Sequence, residues 1–486
     1  MKITVKPVEN PNCEFWIWNR KITNKQDTGI YPSSISNVGS GQSVAVFQEG
    51  QTGNLEQIAQ LQLPDYEKLL EYYSTGKEIS LDYTYIDNFM WLGDKKPYEV
   101  ESLPYVERKS ISARCSIFNN DGNENYVHIM QSYIQNGDLD FSYTGFYNLN
   151  IDFCNLTVGQ GNLRFSNARF FDASISANTI TCGGNIYFPP EIDFSSIKAD
   201  TLNIHIMLMS QLLSINFLCA KTINTTITLD PSPKAFHDVC FVKSTIDVVN
   251  LVNAEIDSLD IRDAQINYLK FKQCIFSKSS QIAGDIRELH IEDSLNSTVC
   301  KLSFSQIEKL TFAGTINNGK FLFTDFATAL KAIQNLPRET TKDTQQYLML
   351  RENFRQTGEN EPEDICYRLY QKFKTKQEKN VLKKASRMIL DITSGYGTKP
   401  VRMLVVILLS IVLFGTLYYY APCLSYQGVN TWLEHVYASG ITFFAVGYGD
   451  LFPQNILTKM ISLVEAFLGV TATSYFLVVL SRKIIR

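Results

Sequence analysis

"FVKSTIDVVNLVNAEIDSLDIRDAQINYLKFKQCIF", Phe241 to Phe276, carries a large apolar residue at every fifth position: Phe241, Ile246, Leu251, Ile256, Ile261, Ile266, Phe271 and Phe276. Two places before each stand Val239, Ser244, Val249, Ala254, Leu259, Ala264, Leu269 and Cys274, all small or apolar. A helix repeats near about 3.6 residues and a strand at about 2, so neither accounts for a period of five. A unit this short cannot bury its apolar face alone. Stacking it on copies of itself is solenoid behaviour.

The period returns in Phe165, Phe170, Ile175 and Ile180, and in Phe141 with Phe146, and it continues in Ile286 and Ile291. This pattern resembles pentapeptide-repeat proteins. The resemblance implies a right-handed, four-sided β-helix with these side chains stacked inside, over residues 139–325. Breaks in the period, as at "GGNIYFPPEIDF", are expected to be bulges or loops. Some proteins of this kind imitate DNA in shape and acidity, but the stretch has no acidic excess. Other β-helices cleave polysaccharides, yet those enzymes are exported, and no tight carboxylate cluster appears here. The reading is a rigid scaffold and not an enzyme. Residues 1–138 mix aromatic pieces such as "YTYIDNFMWL" with polar loops, and their fold is not legible. A cap for the solenoid and a ligand pocket both stay open.

At 486 residues the chain exceeds one ordinary domain. Its net charge of -4 gives no global reason to expect a nucleic-acid partner. Ten cysteines are scattered with no CxxC pair, which suits buried free thiols in a reducing compartment. The opening "MKITVKPVENPNCEFWIW" has no basic start leading into an apolar core, so no signal peptide is expected and most of the chain is placed in the cytoplasm.

The last ninety residues change character. "VRMLVVILLSIVLFGTLYYYA", Val401 to Ala421, is long enough to cross a bilayer core, and its final tyrosines, Tyr418 to Tyr420, suit an aromatic belt at the far interface. A second apolar stretch runs from Ile456 to about residue 481, interrupted by Lys459 and Glu465. Lysines and arginines crowd the approach to the first stretch, from Arg368 to Arg402, and Arg482, Lys483 and Arg486 follow the second. Basic flanks on both sides put both termini in the cytoplasm of a multi-pass protein of the inner (plasma) membrane. The cationic 368–402 segment is expected to lie near anionic lipid headgroups.

Between the stretches, residues 432–444 are apolar but too short to span, which reads as a re-entrant half-helix. "AVGYGD" follows, with glycine on either side of Tyr448. Irregular backbone at membrane depth survives only when buried in protein or lining a water-filled path. Glycine there lets successive carbonyls point one way and replace an ion's hydration shell.

Val446-Gly447-Tyr448-Gly449-Asp450 resembles the selectivity filter of potassium channels, within the layout of the simplest two-transmembrane bacterial members. The resemblance covers 399–486. It implies a homotetramer with K⁺ as permeant ion and no organic cofactor. It also implies that Ala445, Val446, Gly447 and Tyr448 offer backbone oxygens to dehydrated K⁺, that Tyr448 braces the filter, and that Asp450 stands at the outer mouth. Such channels usually carry threonine at the position of Ala445, where its hydroxyl helps form the innermost ion site. Ile441 stands where some carry a glutamate behind the filter. Glu465 takes over that role from the second helix, or it braces the structure by pairing with Thr442 or His435. Gly469 sits where such channels have a hinge, and close helix packing is the alternative there.

Residues 326–398 read as a helical hairpin: one helix, a break at "TGENEPED", then one longer basic helix ended by "TSGYGTKP". Such a hairpin is expected to pull the first span and, through packing, the second. The leading reading is a tetrameric potassium channel whose N-terminal region assembles or gates it, with an unknown gating ligand or protein partner. A weakly selective cation channel and a membrane-anchored interaction scaffold with a vestigial pore are the alternatives.

Overall fold

The computed structural model describes residues 3–484 except 9–13, 19, 22–35, 37, 50–52, 76, 88–106, 109, 120–125, 131–132, 135–137, 155, 159–160, 172, 183–190, 200–201, 209–213, 223–224, 232–234, 335–340, 422, 425 and 448–450. Two units divide the chain, Met1–Gln346 and Tyr347–Arg486.

In the first unit the period of five becomes a β-solenoid. Thr245 pairs in parallel with Gln265, and Gln265 with Asp285, so a regular coil takes twenty residues, or four pentads. Each position therefore lies over its equivalent one coil away. All eight large apolar residues from Phe241 to Phe276 are buried, and so are the eight residues standing two places before them. Stacked coils sit about 4.8 Å apart, which suits offset ring stacking. Phe141, Phe165, Phe194, Phe217 and Phe241 form a ladder with centroid spacings of 5.2, 5.3, 5.0 and 5.0 Å. The buried Ser244 hydroxyl donates to the Phe241 carbonyl at 2.7 Å, and Asn296 Nδ2 donates to Asn317 Oδ1 at 2.8 Å.

The chain turns its corners through left-handed backbone. Tyr143, Asn167, Ser196, Cys219 and Lys243 each stand two residues after a ladder phenylalanine, with φ between 55° and 62°.

Parallel pairing starts well before the expected Leu139. Ile79 pairs with Ile111, and Ile111 with Leu139. Those two coils take 32 and 28 residues, so no constant period marks them. The last pairing strand is Lys320–Phe323. The sequence "GGNIYFPPEIDF", expected to break the period, lies mostly outside the described residues.

Ahead of the solenoid, strands β1 (Ile3–Val8), β2 (Trp16–Ile17), β3 (Arg20–Lys21), β4 (Gly39–Glu49) and β5 (Leu55–Pro64) form an antiparallel sheet in the order β1-β4-β5-β2-β3. Ile3, Ile17, Val44, Val46, Ile58 and Leu61 of this sheet share one core with Tyr83, Tyr85, Cys115, Ile117 and Tyr147 of the first coils. A cavity of about 340 Å³ between them is lined by Trp18, Gln48, Gln57, Arg169 and Phe171 among others.

The second unit is helical. The expected single basic helix is two, Asn360–Gln377 and Val381–Ser394. The chain breaks because Asn380 caps the second of them, its side chain accepting from the amides of Leu382 and Lys383 at 3.0 and 3.3 Å. Gly395 then ends that helix in the left-handed region (φ 58°), and Pro400 opens the first span with a residue that needs no amide partner. The apolar helices are Pro400–Tyr420 and Ile456–Ile484, with Trp432–Phe443 between them.

Of the described cysteines, Cys115, Cys274, Cys300 and Cys366 are buried, and burial pushes the Cys300 thiol up to about 12. Cys423 is exposed.

Candidate pore

The half-helix starts on a reciprocal cap. The Thr431 hydroxyl accepts from the Glu434 amide, and the Glu434 carboxylate accepts from the amides of Asn430 and Thr431 at 2.7 and 2.8 Å. Its flanks lie against both spans at backbone distance. A Cβ added at Gly415 on the first span would stand 2.6 Å from Val436 Cα. One added at Gly469 on the second would overlap the Phe443 carbonyl oxygen and stand 2.9 Å from Phe443 Cα. The geometry at Gly469 is close packing, and the half-helix is pinched between two glycines. Sequence reasoning missed Gly415, although a lone glycine inside an apolar run is the available signal.

Glu465 is buried among hydroxyls and not beside the partners expected for it. Tyr418 Oη donates to Glu465 Oε2 at 2.6 Å, and Ser439 Oγ donates to Oε1. Thr442 instead donates to the Ala438 carbonyl of its own helix at 2.8 Å, and His435 Nδ1 faces the Thr431 carbonyl at 2.8 Å. One carboxylate from the second span thus joins the first span to the half-helix. Tyr418 is correspondingly 1% exposed, which removes it from the expected aromatic belt, while Tyr419 and Tyr420 stay on the surface.

The half-helix ends by winding directly into the glycine-flanked run. The amides of Phe444, Ala445 and Val446 donate to the carbonyls of Gly440, Thr442 and Ile441 at 3.0, 3.0 and 2.9 Å. A helix presents partial negative charge at this end, which favours a cation near Ala445. Gly447 has φ 57°, in the left-handed region where glycine carries no penalty. Ala445 has φ 53°, and for alanine this conformation costs about 1–2 kcal/mol. Tyr448, Gly449 and Asp450 lie outside the described residues. After them, Phe452–Pro453 pairs antiparallel with Tyr426–Gln427.

At the opposite end of the module the linker helices grip the second span directly. Arg482 reaches Asp364 at 3.6 Å, and the Tyr367 ring lies between the guanidinium groups of Arg351 (4.7 Å) and Arg482 (5.1 Å). Ser394 Oγ and Tyr475 Oη are 3.0 Å apart. The expected route, from linker to first span and only then to the second, is therefore incomplete.

Residues 406–486 match the family model described as Ion channel. No curated protein and no solved structure matches the chain. The C-terminal module is an ion-channel domain of a membrane protein, with a β-solenoid upstream of it.

Proposed function

We propose that the chain is a potassium-selective channel that conducts as a homotetramer in the plasma membrane, both termini cytoplasmic. The observation that carries this reading is the left-handed backbone of Gly447 in a Val-Gly-Tyr-Gly-Asp run, at the end of a half-helix held between two spans. Val446, Gly447 and Tyr448 offer their carbonyls to dehydrated K⁺, and Ala445 offers its own at the inner end. Phe444 and Val446 are each about half exposed in a single chain. One loop supplies one wall, and further copies around an axis cover these residues and complete the ring. The solenoid unit acts in assembly or gating, as expected for a scaffold fused to a pore. Full-length protein purified into liposomes is expected to pass K⁺ and Rb⁺ well above Na⁺. Equal K⁺ and Na⁺ permeability makes it a weakly selective cation channel. No flux at all leaves a scaffold with a vestigial pore.

A further inference from the structure

Five cations from three helices meet where both spans end. Arg368 and Lys372 belong to Asn360–Gln377, Lys399 and Arg402 to the start of the first span, and Lys483 to the end of the second. Side-chain placement brings Arg368 and Lys399 together, since a Cβ at Gly395 would stand 3.5 Å from Lys399 Cγ and 3.7 Å from Arg368 Cδ. A Cβ at Gly397 would stand 3.7 Å from Val479 Cγ2, one turn before Lys483 on the second span. Lys372 lies 3.7 Å from the Asp391 carboxylate, and Arg402 donates to the Asp391 carbonyl at 3.2 Å. Among the described residues, Arg368, Lys399 and Lys483 form no ion pair. Arg368 acts most strongly in holding the Lys399 ammonium below its usual pKa, followed by slight burial and then Arg402, Lys372 and Lys483. Asp391 supplies one anion, to Lys372, and the remaining like charges, gathered across separate helices, oppose the packing that gathers them unless a further anion joins them.

We propose that this cluster binds a phosphate group, which ties the linker helix to the ends of both spans. Phosphate fits because it brings up to two charges and three acceptor oxygens to one point. Arginine meets it with a fork and lysine with a point charge. A headgroup phosphate and a soluble phosphate share this chemistry. The expectation of anionic lipid along 368–402 thereby becomes a defined site, to which the second span contributes Lys483. The site rests on the channel reading only for its effect on conduction.

The test uses full-length protein in nanodiscs of phosphatidylcholine with or without phosphatidic acid, the bound lipid being read by native mass spectrometry. In parallel, inorganic pyrophosphate is titrated against thermal stability in detergent. The double variant Lys399→Gln/Lys483→Gln is expected to weaken the ligand by about 25-fold, roughly fivefold per lysine. Lys399→Arg/Lys483→Arg keeps the affinity, as does Lys376→Gln, which lies outside the cluster. If the double variant fails to fold, Arg368→Gln alone is expected to lose about fivefold. Retention of phosphatidic acid alone assigns a headgroup, and stabilisation by pyrophosphate alone assigns a soluble phosphate. Equal affinity in wild type and variant, or no binding of either probe by wild type, overturns the proposal. Flux of K⁺ from phosphatidylcholine liposomes separates the two readings. Protein that binds phosphate but never conducts refutes the channel and keeps the site, whereas conduction without binding does the reverse.

Discussion

The solenoid and the pore module solve opposite packing problems. In the solenoid the large side chains of the repeat from Phe241 to Phe276 lie inside, one coil against the next, and the phenylalanine ladder runs through the interior of a single chain. In the pore module most of the spans' leucines and valines face outward, with Leu409, Leu413, Leu463 and Val478 each more than 60% exposed. Its helices come within backbone distance of one another at Gly415 and Gly469. The difference follows from the solvent. Water drives side chains together, whereas lipid tails are as apolar as leucine, so a membrane module must gain its cohesion from backbone approach and buried polar bonds.

The largest expected effect strikes at that contrast. Gly469→Ala puts a methyl group onto the Phe443 carbonyl with no rotamer to relieve it. We expect at least a tenfold loss of ion flux and loss of the assembled oligomer by native mass spectrometry. An assembled, conducting variant would show that the module packs through side chains after all. Next comes Phe217→Ala, which opens a cavity between Phe194 and Phe241 and is expected to destabilise the solenoid by about 3–5 kcal/mol. Thermal unfolding of the full chain reads this loss, while ion preference in liposomes stays at the wild-type value. A changed ion preference would mean that the two regions are not energetically separate.

Arg482→Gln removes a guanidinium from both Asp364 and the Tyr367 ring, a partly buried pair and a stacking contact together worth on the order of 1–2 kcal/mol. Open probability in bilayer recordings is expected to shift several-fold with selectivity unchanged. Identical gating would return control to the first span alone. The smallest effect is expected from Ala445→Thr. The added hydroxyl strengthens block by internal Ba²⁺ a few-fold, and the left-handed backbone at this position limits the gain, because a branched side chain tolerates it poorly. Unchanged Ba²⁺ affinity and unchanged ion preference would make Ala445 a neutral variation.

The same contrast decides how much of each region could be read from residues alone. The middle of the solenoid was legible because its coil length is constant, and constant length prints a period. The coils from Ile79 to Leu139 were not legible, since a coil of 32 residues followed by one of 28 leaves no period to detect. The spans were legible from hydropathy, and the half-helix from its length. Which faces meet was not. Tyr418 stands in a run of three tyrosines that look alike in sequence, yet it turns inward to Glu465 while Tyr419 and Tyr420 face out. Ser439 gives no periodic signal either. Partnerships of this kind depend on helix rotation, which a nearly uniform apolar stretch does not encode. The split of the basic helix was legible in principle, because asparagine three residues past the last lysine–glutamine pair is a favoured cap.

At Gly415 and Gly469, hydrogen stands where every other residue carries carbon, so no neighbour can absorb a replacement. A solenoid coil is more forgiving, since a volume-conserving exchange such as leucine for isoleucine costs under about 1.5 kcal/mol, and coils of 20 to 32 residues already coexist in this chain. Descendants of this protein are therefore free to lengthen, shorten or re-side the scaffold one coil at a time. The two glycines beside the half-helix are the points on which such drift halts.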